Sequence, residues 1–438
     1  MIALLDCNNF YVSCERIFNK KLINKPVIIL SNNDGCVISR SDEAKDLGII
    51  MGEPYFKIKN KVKNLGIFVY SSNYSLYGDI SSRVMSIVKK NCMNVEIYSI
   101  DEAFIDIADI KNQEEFCFLL KSKLLKWTGI PVSIGIAKTK TLSKIANKLA
   151  KKENKSLQSF KGIYKLFCDK QINKILKRTN VNDIWGVGNK TYYYFLKKGI
   201  NNAFELANIN ENLVRKERGV LIHKTVLELK GIQCYDIEKK KNKKKSLCVS
   251  RSFGNKVYCY NDLRDALLLY VEKASEKLRR ERLLCGSVKV FLQTSRYSSN
   301  YYFKSSDFHF FEPVLDSRTI WIECNKLLKK VYLLGLDYSK VGVILFNLCE
   351  RSNVQRQLFE DNPKYKKKYL DNMKLMDAVD LVNQKFGKGK LRISTGELDS
   401  FFKIKKTTFK KKKWHMKSDF SSPCYTTKWC DIPKVIIG

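Results

Sequence analysis

Histidine is almost absent from this 438-residue chain: only His223, His309 and His415 occur. The 14 cysteines are scattered, no two form a CxxC pair, and Cys424 and Cys430 lie six apart. That pattern excludes a zinc finger, whose tetrahedral ion is held by closely spaced Cys and His ligands. Unpaired thiols in a reducing cytoplasm account for the cysteines instead. No apolar run approaches the ~20 residues that a bilayer span needs. The apolar residues 1–5 stop at Asp6 without a basic lead-in, so neither a secretory signal nor a membrane protein is expected. No internal repeat is visible. Acidic residues are also scarce, with 44 Asp+Glu against 81 Lys+Arg, a net charge of +37. So basic a chain repels itself, and a polyanion relieves the repulsion. Nucleic acid is therefore the expected partner, ahead of an anionic membrane surface, although lysine-rich coding adds to the count. A content of 44% hydrophobic and 12% aromatic residues excludes wholesale disorder. The length suggests about three domains.

Residues 2–5 and 27–30 are short apolar runs that predict buried strands, and Asn32-Asn33-Asp34-Gly35 predicts a turn. A short helix is expected over 39–47, stopped by Gly48, and strands on both sides of an acidic pair over 95–107. A strand at 130–136 and a helix at 142–150 follow. This alternation over the first 165 residues predicts an α/β or α+β domain. From about residue 169 the pattern changes to short helices. Gly186 and Gly188, in Ile184-Trp185-Gly186-Val187-Gly188-Asn189, leave two readings open. One is a helix-hairpin-helix whose glycines let the backbone approach DNA phosphates; the other is a plain interhelical turn. Residues 239–245 (KKKNKKK) predict a basic linker. Beyond it come a strand at 247–253 and a long helix capped by Asn261, with Ala266, Tyr270, Ala274 and Leu278 on one face. Strands at 288–294, 301–310 and 341–346, with a helix from about Ser317, complete a second α+β unit. Residues 351–438 predict a polar, basic tail or small appendage.

With acids so scarce, Asp6, Asp101 and Glu102 stand out because they fall at the ends of predicted strands. Clustered carboxylates suit hard cations such as Mg²⁺, and two such ions about 4 Å apart can drive phosphoryl transfer. Neighbours on a strand point to opposite faces, so Asp101 and Glu102 must sit at a strand end or turn to share ions. Spacing alone leaves solvated surface carboxylates open as the alternative.

Asp6-Cys7-Asn8-Asn9-Phe10-Tyr11 and Ser99-Ile100-Asp101-Glu102-Ala103-Phe104 resemble the two metal-binding motifs of Y-family translesion DNA polymerases. Residues 31–40 (SNNDGCVISR), 72–77 (SNYSLY), 250–254 (SRSFG) and 421–427 (SSPCYTT) are similar to its UmuC branch, the catalytic subunits of bacterial DNA polymerase V. The likeness runs over nearly the whole chain. It implies an α+β multidomain, right-hand polymerase fold. The palm would comprise 1–10 and 75–168, the fingers 11–74, and a helical thumb with the helix-hairpin-helix 169–238. The basic linker 239–245, a little finger at 246–350 and a clamp-binding tail with a small appendage at 351–438 would follow.

The resemblance further implies error-prone, template-directed DNA synthesis across damaged bases in an SOS response. Asp6, Asp101 and Glu102 would hold two Mg²⁺ ions, with the Cys7 carbonyl as a further ligand. The primer 3′-hydroxyl would attack the α-phosphate in line and pyrophosphate would leave. Tyr11, next to Phe10, would be the steric gate that clashes with a ribose 2′-hydroxyl. Lys45 and Lys151 would contact the triphosphate. Asp42 and Lys45 stand where related branches carry tyrosine and arginine, and lysine lacks the bidentate fork of arginine. Gly186 and Gly188 would meet the DNA backbone. Gln355, Leu358 and Phe359 resemble the peptide that binds the bacterial sliding clamp. Expected partners are primed template DNA, dNTPs, the sliding clamp, a UmuD-type subunit and a RecA filament, in the cytoplasm with no membrane attachment. The alternatives are a DinB-type polymerase IV, a two-metal nuclease and an inactive DNA-binding scaffold. Cys424 departs from the basic residue usual in its segment, which puts the appendage's contacts in doubt.

Overall fold

The computed structural model describes residues 1–153, 162–238, 243–351, 363–387, 389–393 and 416–433. Its chain divides into two units, Met1–Lys241 with Asp419–Gly438, and Asn242–Ser418. Among the described residues no helix is long and apolar enough to cross a membrane. All the cysteines are unpaired.

The first unit carries strands β1 (Ile2–Cys7), β2 (Val27–Leu30), β3 (Val37–Arg40), β4 (Phe68–Ser71), β5 (Val95–Ile97), β6 (Glu102–Asp106), β7 (Val132–Ala137) and β8 (Ile163–Lys165). Five of them form one sheet in the order β5-β6-β1-β7-β8. The apolar run that predicts a buried strand is its centre: β1 is buried at every position and pairs antiparallel with β6 and β7. Alternation along β1 divides its side chains between two faces. Ala3, Leu5 and Cys7 join a core with helices Phe10–Phe18, Tyr74–Asn91 and Gln113–Thr128, while Ile2 and Leu4 pack with Phe104 on the other face. Asp6 shares the second face.

Helix Lys140–Glu153 covers that second face, and Gly135 in β7 makes its approach possible. A Cβ at Gly135 would lie 2.1 Å from Asn147 N and 2.4 Å from Ser143 O, both backbone atoms of the helix. Asn147 fastens the contact: its Nδ2 donates to Leu4 O at 3.1 Å and to Ser133 O at 2.8 Å.

A smaller sheet, β3-β2-β4, packs with helices Asp42–Asp46 and Tyr55–Asn64 around Ile28, Leu30, Val37 and Ile58. The helix expected from residue 39 starts at Asp42. Ser39 and Arg40 instead pair with Ile29 and Ile28 of β2, and the Ser41 hydroxyl caps the helix by accepting from Ala44 N. Four α-helices follow within 169–229. Buried Glu228 ties the last of them to the sheet unit, accepting from Thr141 N at 2.9 Å, Thr141 Oγ1 at 3.0 Å and Cys234 N at 3.0 Å.

The second unit is a four-stranded antiparallel sheet of β9 (Ser246–Val257), β10 (Leu283–Thr294), β11 (Phe303–Val314) and β12 (Tyr338–Glu350), ordered β11-β10-β12-β9. Helices Tyr260–Arg280 and Ser317–Val331 fill its core, and Ala266, Tyr270, Ala274 and Leu278 are buried as their spacing requires. Asn261 does not cap the first helix, which begins one residue earlier after Cys259 with no side-chain cap. Where the sequence suggests one tail, the structure has two parts. Helix Pro363–Phe386 inserts Met376 into the second core, and Arg279 grips Asp380 through two hydrogen bonds of 2.6 Å. Residues 419–433 instead belong to the first unit.

Gly135→Ala forces backbone apart rather than a flexible side chain. It is expected to destabilise the first unit by about 1–3 kcal/mol or more, as overpacking does. Chemical denaturation of both proteins measures this, and an unchanged midpoint contradicts the close approach.

Candidate active site

The antiparallel register of β1 and β6 sets Asp6 directly opposite Glu102. Asp101 occupies the turn just before β6, where its carbonyl accepts the Cys7 N–H at 2.9 Å. Residues 95 apart in sequence thus converge at one end of the central strand β1. The hairpin also answers how adjacent Asp101 and Glu102 share one site: one lies in the turn and the other in the strand. Ser99 shapes that turn. Its hydroxyl donates to Asp101 Oδ1 at 2.5 Å and accepts from the Glu102 N–H at 3.0 Å. Ser81, on helix Tyr74–Asn91, holds the turn from behind by donating to Ile100 O at 2.5 Å.

Two lysines of helix Lys140–Glu153 meet the carboxylates. Lys151 Nζ lies 2.6 Å from Asp6 Oδ2, and Lys144 Nζ lies 3.0 Å from both Glu102 oxygens. Lys144 also rests 4.6 Å from the Tyr98 ring centroid. Asp6, Glu102, Lys144, Lys151, Asp183 and Trp185 line one cleft of about 310 Å³. Burial pushes the Asp6 carboxyl up to about 6; Lys151 pulls it down, and the charges of Glu102 and Asp101 add to the rise. Lys144 escaped the sequence reading. Its signal is the seven-residue spacing to Lys151, two helical turns, which puts both on one face with Asn147 between them.

Among the described residues, no three His, Cys, Asp or Glu side chains stand close enough together to form a ready metal cage. The donor chemistry nevertheless suits a hard cation, because Asp6 faces Glu102 beside Asp101 and a bound cation would offset the burial that raises Asp6 and the neighbouring charges that add to it. The Cys7 thiol is buried and burial pushes it well above its ordinary value, so only the main chain of Cys7 is available as a ligand.

Asn9 adopts a left-handed conformation, φ 47°, which turns the chain from β1 straight into helix Phe10–Phe18. Phe10 is buried, whereas half-buried Tyr11 lies face to face on Tyr77 with centroids 4.5 Å apart and 17° between planes. Tyr74 meets Tyr11 edge-on at 6.3 Å. Lys45 reaches the same corner, with Nζ 2.7 Å from both Asn9 Oδ1 and Asp42 Oδ1. Gly186, at φ 89°, and Gly188, which precedes helix Asn189–Lys197 as its N-cap, are both exposed. Gln355, Leu358 and Phe359 lie outside the described residues.

The chain matches the impB/mucB/samB family over residues 5–148 and that family's C-terminal domain over 244–358. A domain of unknown function matches over 373–435. The chain is 38% identical to Protein UmuC of Salmonella typhimurium, across 99% of this chain and 100% of that protein. It belongs to the UmuC/ImpB/MucB family. Protein ImpB of the same organism is also 38% identical, over the full length of both chains. DNA polymerase IV of Saccharolobus solfataricus is 30% identical over only 48% of this chain and 59% of that protein, which favours the UmuC branch over the DinB branch. The fold is that of the Y-family polymerases. A Dbh–Dpo4 chimera superposes with a TM-score of 0.64 at 20% identity, over 80% of this chain and all of that one. The chain is thus a translesion DNA polymerase by family and fold.

Removing the Ser99 hydroxyl frees Asp101 and Glu102 to turn. A hydrogen bond to a charged group contributes about 1.5–3 kcal/mol, so Ser99→Ala is expected to slow primer extension about ten- to a hundredfold. Single-turnover kinetics test it, and a rate within twofold of the parent removes Ser99 from the site.

Proposed function

We propose that this UmuC-branch polymerase uses Asp6, Asp101 and Glu102, with the Cys7 carbonyl, to hold two Mg²⁺ ions and copy damaged template DNA. The observation that carries the reading is the placement of Asp6 opposite Glu102 with Asp101 in the adjoining turn. Ions bound there supply activation of the primer 3′-hydroxyl and neutralisation of charge on the departing pyrophosphate. Lys151, beside Asp6, would contact the triphosphate, and Lys144 would hold the Glu102 carboxylate in place. Lys45, beside Asn9, approaches the same phosphates from the opposite corner as a point charge. Tyr11 holds its ring under the incoming sugar beside Phe10, where a 2′-hydroxyl would collide with it.

In this reading the palm spans 1–10 and 75–168, the fingers 11–74, the thumb 169–238 and the little finger 246–350. Exposed Gly186 and Gly188 bring a helix N-terminus to the DNA backbone. Gln355, Leu358 and Phe359 bind the sliding clamp, and a UmuD-type subunit and a RecA filament complete the working complex in the cytoplasm.

Incubating a primed template with Mg²⁺, with and without dNTPs, separates synthesis from nucleolytic degradation and from inert binding. Asp6→Ala and Asp101→Ala are each expected to reduce extension by about a thousandfold or more, since metal-based charge stabilisation amounts to several kcal/mol. Duplex binding should persist in a mobility-shift assay. Surviving synthesis in either purified variant would sink the metal assignment. Replacing Leu358 and Phe359 together with Ala should remove the stimulation of synthesis by the clamp and spare basal extension; undiminished stimulation refutes the peptide.

A further inference from the structure

The late segment 419–425 is built into the first unit on the far side of the sugar-selecting corner. Ser71, the last residue of β4, donates its N–H to Phe420 O at 2.9 Å, and the Phe420 N–H returns to Ser71 Oγ at 3.1 Å. The Asp419 N–H donates to Asp34 Oδ2 at 2.8 Å. Two rings anchor the segment. Phe420 meets Tyr55 edge-on at 5.7 Å, and Tyr425 stacks on Phe18 at 4.6 Å with 5° between planes.

Between these anchors the segment touches two residues that shape the neighbourhood of Tyr11. Glu15, one turn along the same helix, is only 1% exposed. A carboxylate so buried is tolerated only with hydrogen-bond donors. Its Oε1 accepts from Ser422 Oγ at 2.9 Å and from Tyr77 OH at 2.8 Å. Tyr77, itself fully buried, is the ring on which Tyr11 lies. The second residue is Asn73, whose Oδ1 caps helix Tyr74–Asn91 through Leu76 N while its Nδ2 donates to Ser422 Oγ and Pro423 O, both at 3.0 Å. That helix carries Tyr74 and Tyr77, which meet Tyr11 on its edge and its face.

We propose that residues 419–425 are a specificity element for sugar selection, with Ser422 a positioning residue that fixes Tyr11 through Glu15, Tyr77 and Asn73. A steric gate discriminates by the place of its ring, and misplacement by about 1 Å is enough to change a rate by two orders of magnitude. Ser422 hydrogen-bonds Glu15 and Asn73, both outside the carboxylate cluster. Its hydroxyl both donates to the buried Glu15 carboxylate and accepts from the capping Asn73, so it links the two supports. The inference rests on the reading of Tyr11 as the gate.

The test uses the full-length polymerase and compares kcat/KM for each dNTP with that for its ribonucleotide. Ser422→Ala is expected to lower the preference for deoxyribonucleotides on the order of tenfold, through faster ribonucleotide insertion, with kcat for dNTPs close to the parent. Ser422→Thr, which keeps the hydroxyl, should retain the preference. Phe420→Ala loosens the docking without touching Glu15 and should shift the preference in the same direction. Tyr11→Ala serves as the reference and should abolish discrimination. If Tyr11→Ala abolishes discrimination but Ser422→Ala and Phe420→Ala leave it intact, the positioning role is overturned while the gate stands. Equal losses for both nucleotide types in Ser422→Ala would reveal a merely structural role and overturn it too. Unchanged discrimination in Tyr11→Ala overturns the gate and the inference with it.

Discussion

The constraint on this corner is the burial of Asp6, which faces Glu102 across β1 and β6 with Asp101 in the adjoining turn, so that the neighbouring acids add to what burial already costs its charge. The surroundings answer that cost. Helix Lys140–Glu153 brings a lysine to Asp6 and another to Glu102. It can do so because Gly135 leaves room for its backbone and Asn147 satisfies the Leu4 and Ser133 carbonyls beneath it. Ser99 and Ser81 hold the turn that would otherwise swing Asp101 away. The lysines keep the acids compatible with folding, and under the proposed function a hard cation would compete for the same oxygens.

What the sequence makes legible here follows from the range of each interaction. The strand ending at Asp6, the hairpin around Asp101 and Glu102, and the strand Val27–Leu30 are local patterns of apolar runs and alternation, and they appear where those patterns place them. The helix begins at Asp42 rather than Ser39 because pairing with β2 claims Ser39 and Arg40, a tertiary contact that outweighs local propensity. Lys144 was lost among many lysines, since only the register of a helix on a sheet sets it apart. Glu15 carries no local signal and Asn73 only its place in the 72–77 motif, and neither points to the contact with Ser422, which lies 407 and 349 residues away respectively. The motif resemblance implies roles for Asp6 and Tyr11; it does not reach the scaffold behind them.

The net charge of +37 points to a polyanion, yet the residues proposed to carry the chemistry are of the opposite sign. Phosphate neutralisation by surface lysines provides affinity that falls steeply with salt and reads no sequence, which suits an enzyme that must act wherever damage occurs. Basic residues inside the cleft serve differently. Lys144 and Lys151 stand at contact distance from acids, so their charge is offset locally and adds little to the field that would gather DNA. Composition thus points to a polyanion, while the lysines of the cleft form a separate population of the same side chain.

The late part of the chain carries a thermodynamic constraint of its own. Helix Pro363–Phe386 is anchored in the second unit by Met376 and the Arg279–Asp380 pair, whereas residues 419–425 are anchored in the first. Holding a short segment such as 419–425 in one conformation costs about 1–2 kcal/mol of backbone entropy per residue. Polar contacts at the surface return too little to offset this, since each net hydrogen bond contributes only about 0.5–1.5 kcal/mol. The stacking of Tyr425 on Phe18 and of Phe420 against Tyr55 supplies the apolar part. The buried Glu15 carboxylate adds an asymmetry: without Ser422 it loses a donor it cannot replace from water. Undocking is thus penalised at the residue that also holds Tyr77, so the segment's attachment and the geometry of the Tyr11 corner are coupled through one buried charge.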